Sequence, residues 1–193
     1  DIAGMGAVKT ALAAGDSTLS VAIMGGKAVA DLLTEMKAKV VQANQAGLDT
    51  ASRNALQNDF TALRDQLSTI VQTAQFNGKN LITSGASNLE VLGSVQGATI
   101  SVNARAMDTT SLGIQTASLS SAAGAATALS QINSAIDSVA SSLASFGSSA
   151  RRIDIQTAFT GKLMDVLKEG VGNLVDADLA EESANLVGLQ IKL

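Results

Sequence analysis

The chain has 193 residues and contains no His, Cys, Pro, Trp or Tyr. It therefore lacks an imidazole base, a thiolate nucleophile and any histidine or cysteine ligand for zinc, and this composition disfavours an enzyme. Its 17 acidic and 13 basic residues give a net charge of −4 without a run of Lys or Arg, which disfavours binding to a nucleic-acid backbone. No apolar stretch approaches the roughly 18 residues of a membrane-spanning helix, and the first residues lack the charged-then-apolar order of a secretory signal.

Apolar or small residues in the first segment recur alternately three and four positions apart. This heptad pattern, called the seam below, predicts a helix from about residue 5 to 44, roughly 60 Å long. Gly25-Gly26 either interrupts this helix or permits the close approach of a neighbouring helix. The seam of the first helix includes Leu12, Leu19, Leu33 and Met36.

A second helix is predicted from about residue 51 to 75, antiparallel to the first. The stretch "QAGLDTAS" at 45–52 supplies a Gly that ends one helix and then Asp, Thr and Ser, each able to cap the next. The heptad spacing continues in this segment. Its seam includes Leu56, Phe60, Leu63 and Leu67.

The pattern changes to strand-like alternation in a β-hairpin region at 76–106. Asn77-Gly78 favours the positive backbone dihedrals of a tight turn, and Phe76 beside it is predicted to be an apolar plug at the bend. Residues 88–92, "NLEVL", and 99–104, "TISVNA", flank the turn "GSVQG". Their alternation of apolar and polar residues predicts two paired strands.

A connector is predicted at 107–127, followed by a long C-terminal helix at about 128–175. Residues 116–130 are rich in Ser, Ala and Gly, which is typical of a flexible linker, although the periodicity that follows disfavours this interpretation for their second half. Because the long helix carries few charges on its Ser- and Ala-rich surface, we expect that surface to contact other helices or other subunits. Its seam includes Ile132, Ile136, Leu143, Phe146 and Ile153.

A further helix is predicted at 178–193, with Asp178 as its cap and Glu181 three residues later. The apolar seam is cut off at both ends of the sequence, which predicts a fragment or a chain whose ends become ordered on assembly. The paired carboxylates at 176/178 and 181/182 lie where acidic residues favour the helix dipole, so we interpret them as capping groups. Arg151-Arg152 either attracts an anionic partner or makes a contact within or between subunits. No catalytic, cofactor or metal site is predicted.

Four segments together resemble bacterial flagellin. They are "TAQFNGKNLI" at 73–82, "SVNARAMDTTSLGI" at 101–114, "AIDSVASSLASFGSSARRID" at 135–154 and "LVDADLAEESANLVGLQI" at 174–191. The first resembles the family's "TxFNGxxLL" stretch and the last its "IxDxDxAxExxxxxxxQI" stretch. With only a short stretch at 116–128 where larger members carry variable outer domains, the chain is similar to compact alphaproteobacterial flagellins.

The resemblance implies a single elongated core domain over 1–193, mainly α-helical: an antiparallel bundle with heptad seams and a β-hairpin, without most of the terminal axial helices. It implies a structural subunit of the flagellar filament that self-assembles for swimming motility and needs no cofactor. The implied location is extracellular, reached through the flagellar type III export apparatus without a cleaved signal peptide. Implied partners are other flagellin subunits, the flagellar cap and junction proteins and an export chaperone.

The resemblance also bears on immune recognition. The family's receptor-contacting Arg, Leu and Glu correspond to Thr34, Ala38 and Asp59, which implies weak sensing by the flagellin-specific Toll-like receptor. Two alternatives stay open. A hook–filament junction protein shares the terminal pattern but carries a different central region, and a coiled-coil signalling module explains the heptads but not the hairpin between them.

Overall fold

A computed structural model describes the backbone of residues 2–191 and their side chains, except those at 185 and 188–191. Within that range the chain forms three helices and two small antiparallel hairpins, so the predicted helical bundle with a β-hairpin is confirmed. In chain order the elements are α1 (Ile2–Ala43), α2 (Thr50–Thr73), β1 (Gln75–Phe76), β2 (Lys79–Asn80), β3 (Leu89–Leu92), β4 (Thr99–Val102) and α3 (Ala122–Ile191). Strands β1 and β2 form one hairpin, and β3 and β4 form the other.

Helix α1 continues without a break through Gly25-Gly26. A Cβ atom added at Gly25 would lie 2.8 Å from the Cβ of Ala74, and one at Gly26 would lie 2.8 Å from a methyl group of Leu143. Any larger side chain would therefore push the neighbouring segments apart. Of the two interpretations of this pair, close approach is the one that the structure supports.

Helix α2 begins at a well-formed cap and runs back along α1. The Asp49 carboxylate accepts hydrogen bonds from the Ser52 backbone N–H at 2.9 Å and from the Ser52 hydroxyl at 2.7 Å, and the backbone bond is the main reason that the pKa of Asp49 is lowered. Lys39 near the end of α1 meets Asp59 near the start of α2. Because Gly25 lies against Ala74 just after the end of α2, the two helices are antiparallel.

Helix α3 corrects two predicted boundaries. It begins at Ala122 rather than at about 128, because Ser121 caps it: the Ser121 hydroxyl oxygen accepts from Gly124 N at 3.0 Å. It also passes through Asp178 without interruption, so the cap and new helix predicted there are wrong. The Asp-Ala-Asp stretch contains no Pro and no residue that ends a helix. Residues 192–193 of the predicted terminal helix lie outside the described residues.

The core lies along the length of α1, between it and the other two helices. Nine of the predicted seam residues are buried, and Leu56, Leu63, Ile136 and Leu143 are partly buried against them. The buried nine are Leu12, Leu19, Leu33, Met36, Phe60, Leu67, Ile132, Phe146 and Ile153.

The connector between β4 and α3 is packed onto the bundle, where Met107 and Ile114 are fully buried. Ala117 and Leu119 are buried as well, which contradicts a flexible linker over the first half of residues 116–130. The carbonyl oxygen of the Gln57 side chain on α2 accepts a hydrogen bond from Leu119 N. Since these apolar side chains enter the common core, the connector belongs to the folded domain.

Candidate functional site

The turn after α2 fixes the direction of the chain as it leaves the helix pair. Asn77 and Gly78 have φ values of 49° and 75°, as the two central residues of a type I′ hairpin turn require. Asn80 then anchors the turn, since its amide nitrogen donates to Val71 O at 2.6 Å and its amide oxygen accepts from Ile82 N at 2.9 Å. The turn is therefore held to the end of α2 by side-chain hydrogen bonds.

Phe76 is not the buried plug of this corner. Its side chain is only partly buried, whereas Leu81 and Ile82 are almost completely buried. The reason is the strand register: Phe76 pairs with Lys79 across a two-residue turn near the surface. The apolar anchoring that was expected of Phe76 is carried by the two residues that follow the turn.

We expect Gly78→Val to destabilise the domain by about 1–2 kcal/mol, because a β-branched residue is strained at positive φ. A Cβ at this position would meet no atom within 4 Å, so backbone strain alone should account for the loss. Thermal unfolding followed by circular dichroism measures it. Gly78→Asn is the matched control, since Asn tolerates this conformation, and an equal loss in both variants would contradict the explanation.

The β3–β4 hairpin rests on α1 and is tied to α3. A Cβ added at Gly15 of α1 would lie 2.5 Å from a methyl group of Val91, so this glycine permits the contact between helix and hairpin. On the other side, the Gln156 side chain donates a hydrogen bond from Nε2 to Gly93 O at 2.7 Å. These two contacts hold the hairpin against both long helices.

The three positions that correspond to receptor contacts are all exposed. Thr34 uses its hydroxyl group to donate to Ala30 O at 3.0 Å within α1, and Ala38 follows one turn later. Asp59 forms a salt bridge with Lys39, with 2.7 Å between the carboxylate oxygen and Nζ. The surface here therefore offers a hydroxyl, a methyl and a carboxylate that is paired with Lys39.

The remaining polar candidates are dispersed along α3. Asp176, Asp178, Glu181 and Glu182 are exposed on the uninterrupted helix, as are Arg151 and Arg152. Among the described residues, no three His, Cys, Asp or Glu side chains are grouped as metal ligands would be. Within the same part of the chain, no helix is both long and apolar enough to cross a bilayer.

A row of exposed apolar side chains lies on the second half of α3. From residue 168 to 187 every side chain that the structure describes is exposed, and we call this segment the α3 overhang. Leu174 is 73% exposed, the highest value among the large apolar side chains that the structure describes. Helical spacing places five apolar residues of the overhang along one side, and we call them the apolar stripe. They are Val171, Leu174, Val175, Leu179 and Leu186.

The sequence matches two family models. Residues 1–87 match the bacterial flagellin N-terminal helical region, and residues 129–193 match the bacterial flagellin C-terminal helical region. Among similar proteins, flagellin FljK of Caulobacter vibrioides is 42% identical over 191 residues, which cover 98% of this chain and 70% of that protein. Flagellin C of Rhizobium meliloti is 29% identical over 243 residues, covering 98% and 75%.

Two solved structures share the fold. The crystal structure of Bacillus cereus flagellin matches with a TM-score of 0.62 and 22% identity, covering 82% of this chain and 88% of that one. A putative flagellar hook-associated protein from Vibrio parahaemolyticus matches with a TM-score of 0.71 and 14% identity, covering 89% and 92%. At these identities the likeness concerns the fold alone.

Proposed function

Because this chain belongs to the bacterial flagellin family and is a structural subunit of the extracellular flagellar filament, we propose that it self-assembles through the apolar stripe of the α3 overhang. The exposure of that stripe is the observation that carries the proposal. Fully burying one Leu or Val side chain contributes about 1.5–3 kcal/mol. Five such residues in one row therefore offer a substantial driving force for helix packing against a second copy.

Leu174→Asp tests this assignment. We expect the variant, expressed in its own bacterium, to give few or short filaments and weak swimming, because the new carboxylate would be buried without a partner on assembly. Asn173→Asp is the matched control, since it adds the same charge on the opposite side of the overhang. Electron microscopy of detached filaments measures the effect, and normal filaments from both variants would contradict the proposal.

The wider set of partners rests on family membership. We propose that the chain is exported through the flagellar type III apparatus with a dedicated chaperone, and that it contacts the flagellar cap and the junction proteins. The fold alone does not distinguish a filament subunit from a hook-associated protein, since solved structures of both kinds are similar to this chain. The relatives at 42% identity are named flagellins, which supports the filament over the junction alternative. A coiled-coil signalling module would leave the two hairpins unexplained.

We propose that the flagellin-specific Toll-like receptor senses this chain weakly. Thr34 cannot supply the planar, multiply donating group of an Arg, and the exposed Asp59 is already paired with Lys39. The combined change Thr34→Arg, Ala38→Leu and Asp59→Glu should raise signalling at least tenfold in a cell reporter assay, a gain of about 1.4 kcal/mol in binding.

The control for this experiment is Thr10→Arg, which places the same group on α1 away from the three positions. Full-strength activation of the receptor by the unsubstituted chain would contradict the proposal of weak sensing. An equal gain from Thr10→Arg would show that added charge, rather than the geometry at Thr34, is responsible.

A further inference from the structure

Strand β3 has a free edge with backbone groups that its hairpin partner does not use. The backbone N–H of Gly93 donates to Ala98 O at 2.7 Å, which marks these two residues as a hydrogen-bonded pair of the hairpin. Such pairs alternate with non-hydrogen-bonded pairs along an antiparallel ladder. In the observed register, the N–H and C=O groups of Glu90 and Leu92 therefore point away from β4. Within the described part of the chain these four groups have no hydrogen-bond partner.

The free edge borders an open cleft on the surface of α1, with a volume of about 510 Å³. All four residues of β3 line this cleft, and among the described residues none of β4 does. Phe76 and Asn77, at the turn between β1 and β2, form the opposite wall. The floor consists of four small residues of α1, which are Ala11, Ala14, Gly15 and Thr18.

The cleft has room for one more strand beside β3. Neighbouring strands lie about 4.7–4.9 Å apart. From Ala11 to Thr18 the floor rises roughly 10 Å along α1, which is the length of about three strand residues. Ala14 is exposed, and no floor residue carries a long side chain. Alternate side chains of an inserted strand can therefore rest on the helix.

The free groups at this edge specify an extended backbone as the occupant. Two N–H donors and two C=O acceptors repeat at every second residue, which is the pattern that another strand pairs with. A bound anion is disfavoured, because the ammonium group of Lys79 already donates to the Ser87 hydroxyl at 2.6 Å and to Asn88 O at 3.0 Å. Extended peptides add to exposed sheet edges of other proteins through such groups.

The outer edge of β4 provides an internal comparison. By the same alternation, Thr99 and Ser101 turn their N–H and C=O groups away from β3. This edge lies on the side of the hairpin where α3 packs, and the cleft does not reach it. The two edges therefore offer the same backbone groups, but only that of β3 adjoins a cleft that can hold a strand.

We propose that the cleft binds an extended peptide segment of another protein, which adds to the free edge of β3 as a further strand. Its backbone pairs with Glu90 and Leu92, and apolar side chains at alternate positions rest on the small residues of α1. This inference goes beyond the proposed self-assembly, because it requires neither the α3 overhang nor a second copy of the chain.

Hydrogen exchange of the full 193-residue chain in solution tests the site. The probe is an acetylated and amidated peptide, TISVNA, which copies the uncharged residues 99–104. The probe should slow exchange of the Glu90 and Leu92 amides by about tenfold or more, and leave those of Thr99 and Ser101 unchanged. Its analogue with methylated alternate backbone nitrogens should have no effect.

Three outcomes would overturn the proposal. One is unchanged exchange at Glu90 and Leu92 in millimolar probe, and another is slower exchange at Thr99 and Ser101 instead. The third concerns the chain without the probe. If raising its concentration alone slows exchange at Glu90 and Leu92, a second copy rather than another protein occupies the edge.

Glu90→Pro removes one outward N–H and no bond of the hairpin, since Pro is tolerated where a strand edge faces solvent. It should weaken probe binding about tenfold or more, as measured by titration. Ser101→Pro is the matched control, because it makes the same change on the outer edge of β4, and it should bind the probe normally. Equal affinities of the two variants would contradict binding at β3.

A second pair of variants leaves the strands intact, in case the proline unfolds the hairpin. Ala14→Phe fills the cleft from its floor and should also weaken binding about tenfold or more. Ala13→Phe is the control, because Ala13 is exposed on α1 outside the cleft. Normal binding by Ala14→Phe would refute the site. Neither result bears on filament growth, which Leu174→Asp tests separately.

Discussion

Phe146→Ala is expected to lower the free energy of unfolding by about 3–5 kcal/mol. The Phe146 ring is completely buried in the core that the three helices share. Truncation removes the transfer free energy of the ring and leaves a cavity that rigid long helices close poorly. Denaturant unfolding of the purified domain, followed by circular dichroism, measures the change.

Phe159→Ala is the matched control, because it removes the same side chain from the same helix where the ring is largely exposed. Its effect on stability should stay within about 0.5 kcal/mol. Equal destabilisation by the two substitutions would show that the buried side of α3 has been assigned incorrectly.

The long helices were the predictable part of the fold, because a heptad pattern states which side of a helix is apolar. Leu12 on α1 and Phe60 on α2 follow that pattern and are buried. The turn at Asn77-Gly78 was equally predictable from the sequence, since few residues adopt positive φ at low cost. In each case a local property of the sequence determines the local structure.

Burial in the connectors was not predictable in this way. Leu81, Met107 and Leu119 are as buried as the seam residues, yet they lie in segments without periodicity, so only their docking onto the helices buries them. The false helix start at Asp178 has a related cause. A capping pattern is common where helices start, but it does not by itself interrupt a helix that already runs through the segment.

The exposed stripe and the small pocket near the start of α1 differ in how far the sequence predicts them. The apolar stripe is one helical pattern and can be recognised in sequence. The small pocket near the start of α1 is lined by Val8, Val95 and Phe159 from three distant segments, and no local pattern relates them. The positions proposed for receptor contact became identifiable only through the resemblance to flagellins.

Gly15→Ala is expected to destabilise the domain by about 1–3 kcal/mol, although Ala is the better helix former by about 1 kcal/mol. The added Cβ would lie 2.5 Å and 2.9 Å from the two methyl groups of Val91, and Val91 is itself a buried residue of strand β3. Val91 can relieve the clash by turning toward the open cleft that it borders together with Gly15, or by moving with the hairpin away from α1. Either change disturbs the contact between helix and hairpin, which thermal unfolding of the variant would report.

Val91→Ala supplies the decisive comparison. Combined with Gly15→Ala it removes the clash, so the double variant should be more stable than the sum of the two single effects predicts. Gly6→Ala on the same helix meets no atom within 4 Å and should stabilise by up to about 1 kcal/mol. A similar gain from Gly15→Ala would contradict the close contact. The expected opposite signs would show that the seam of α1 holds a glycine at this position because the hairpin, rather than another helix, occupies the space of its side chain.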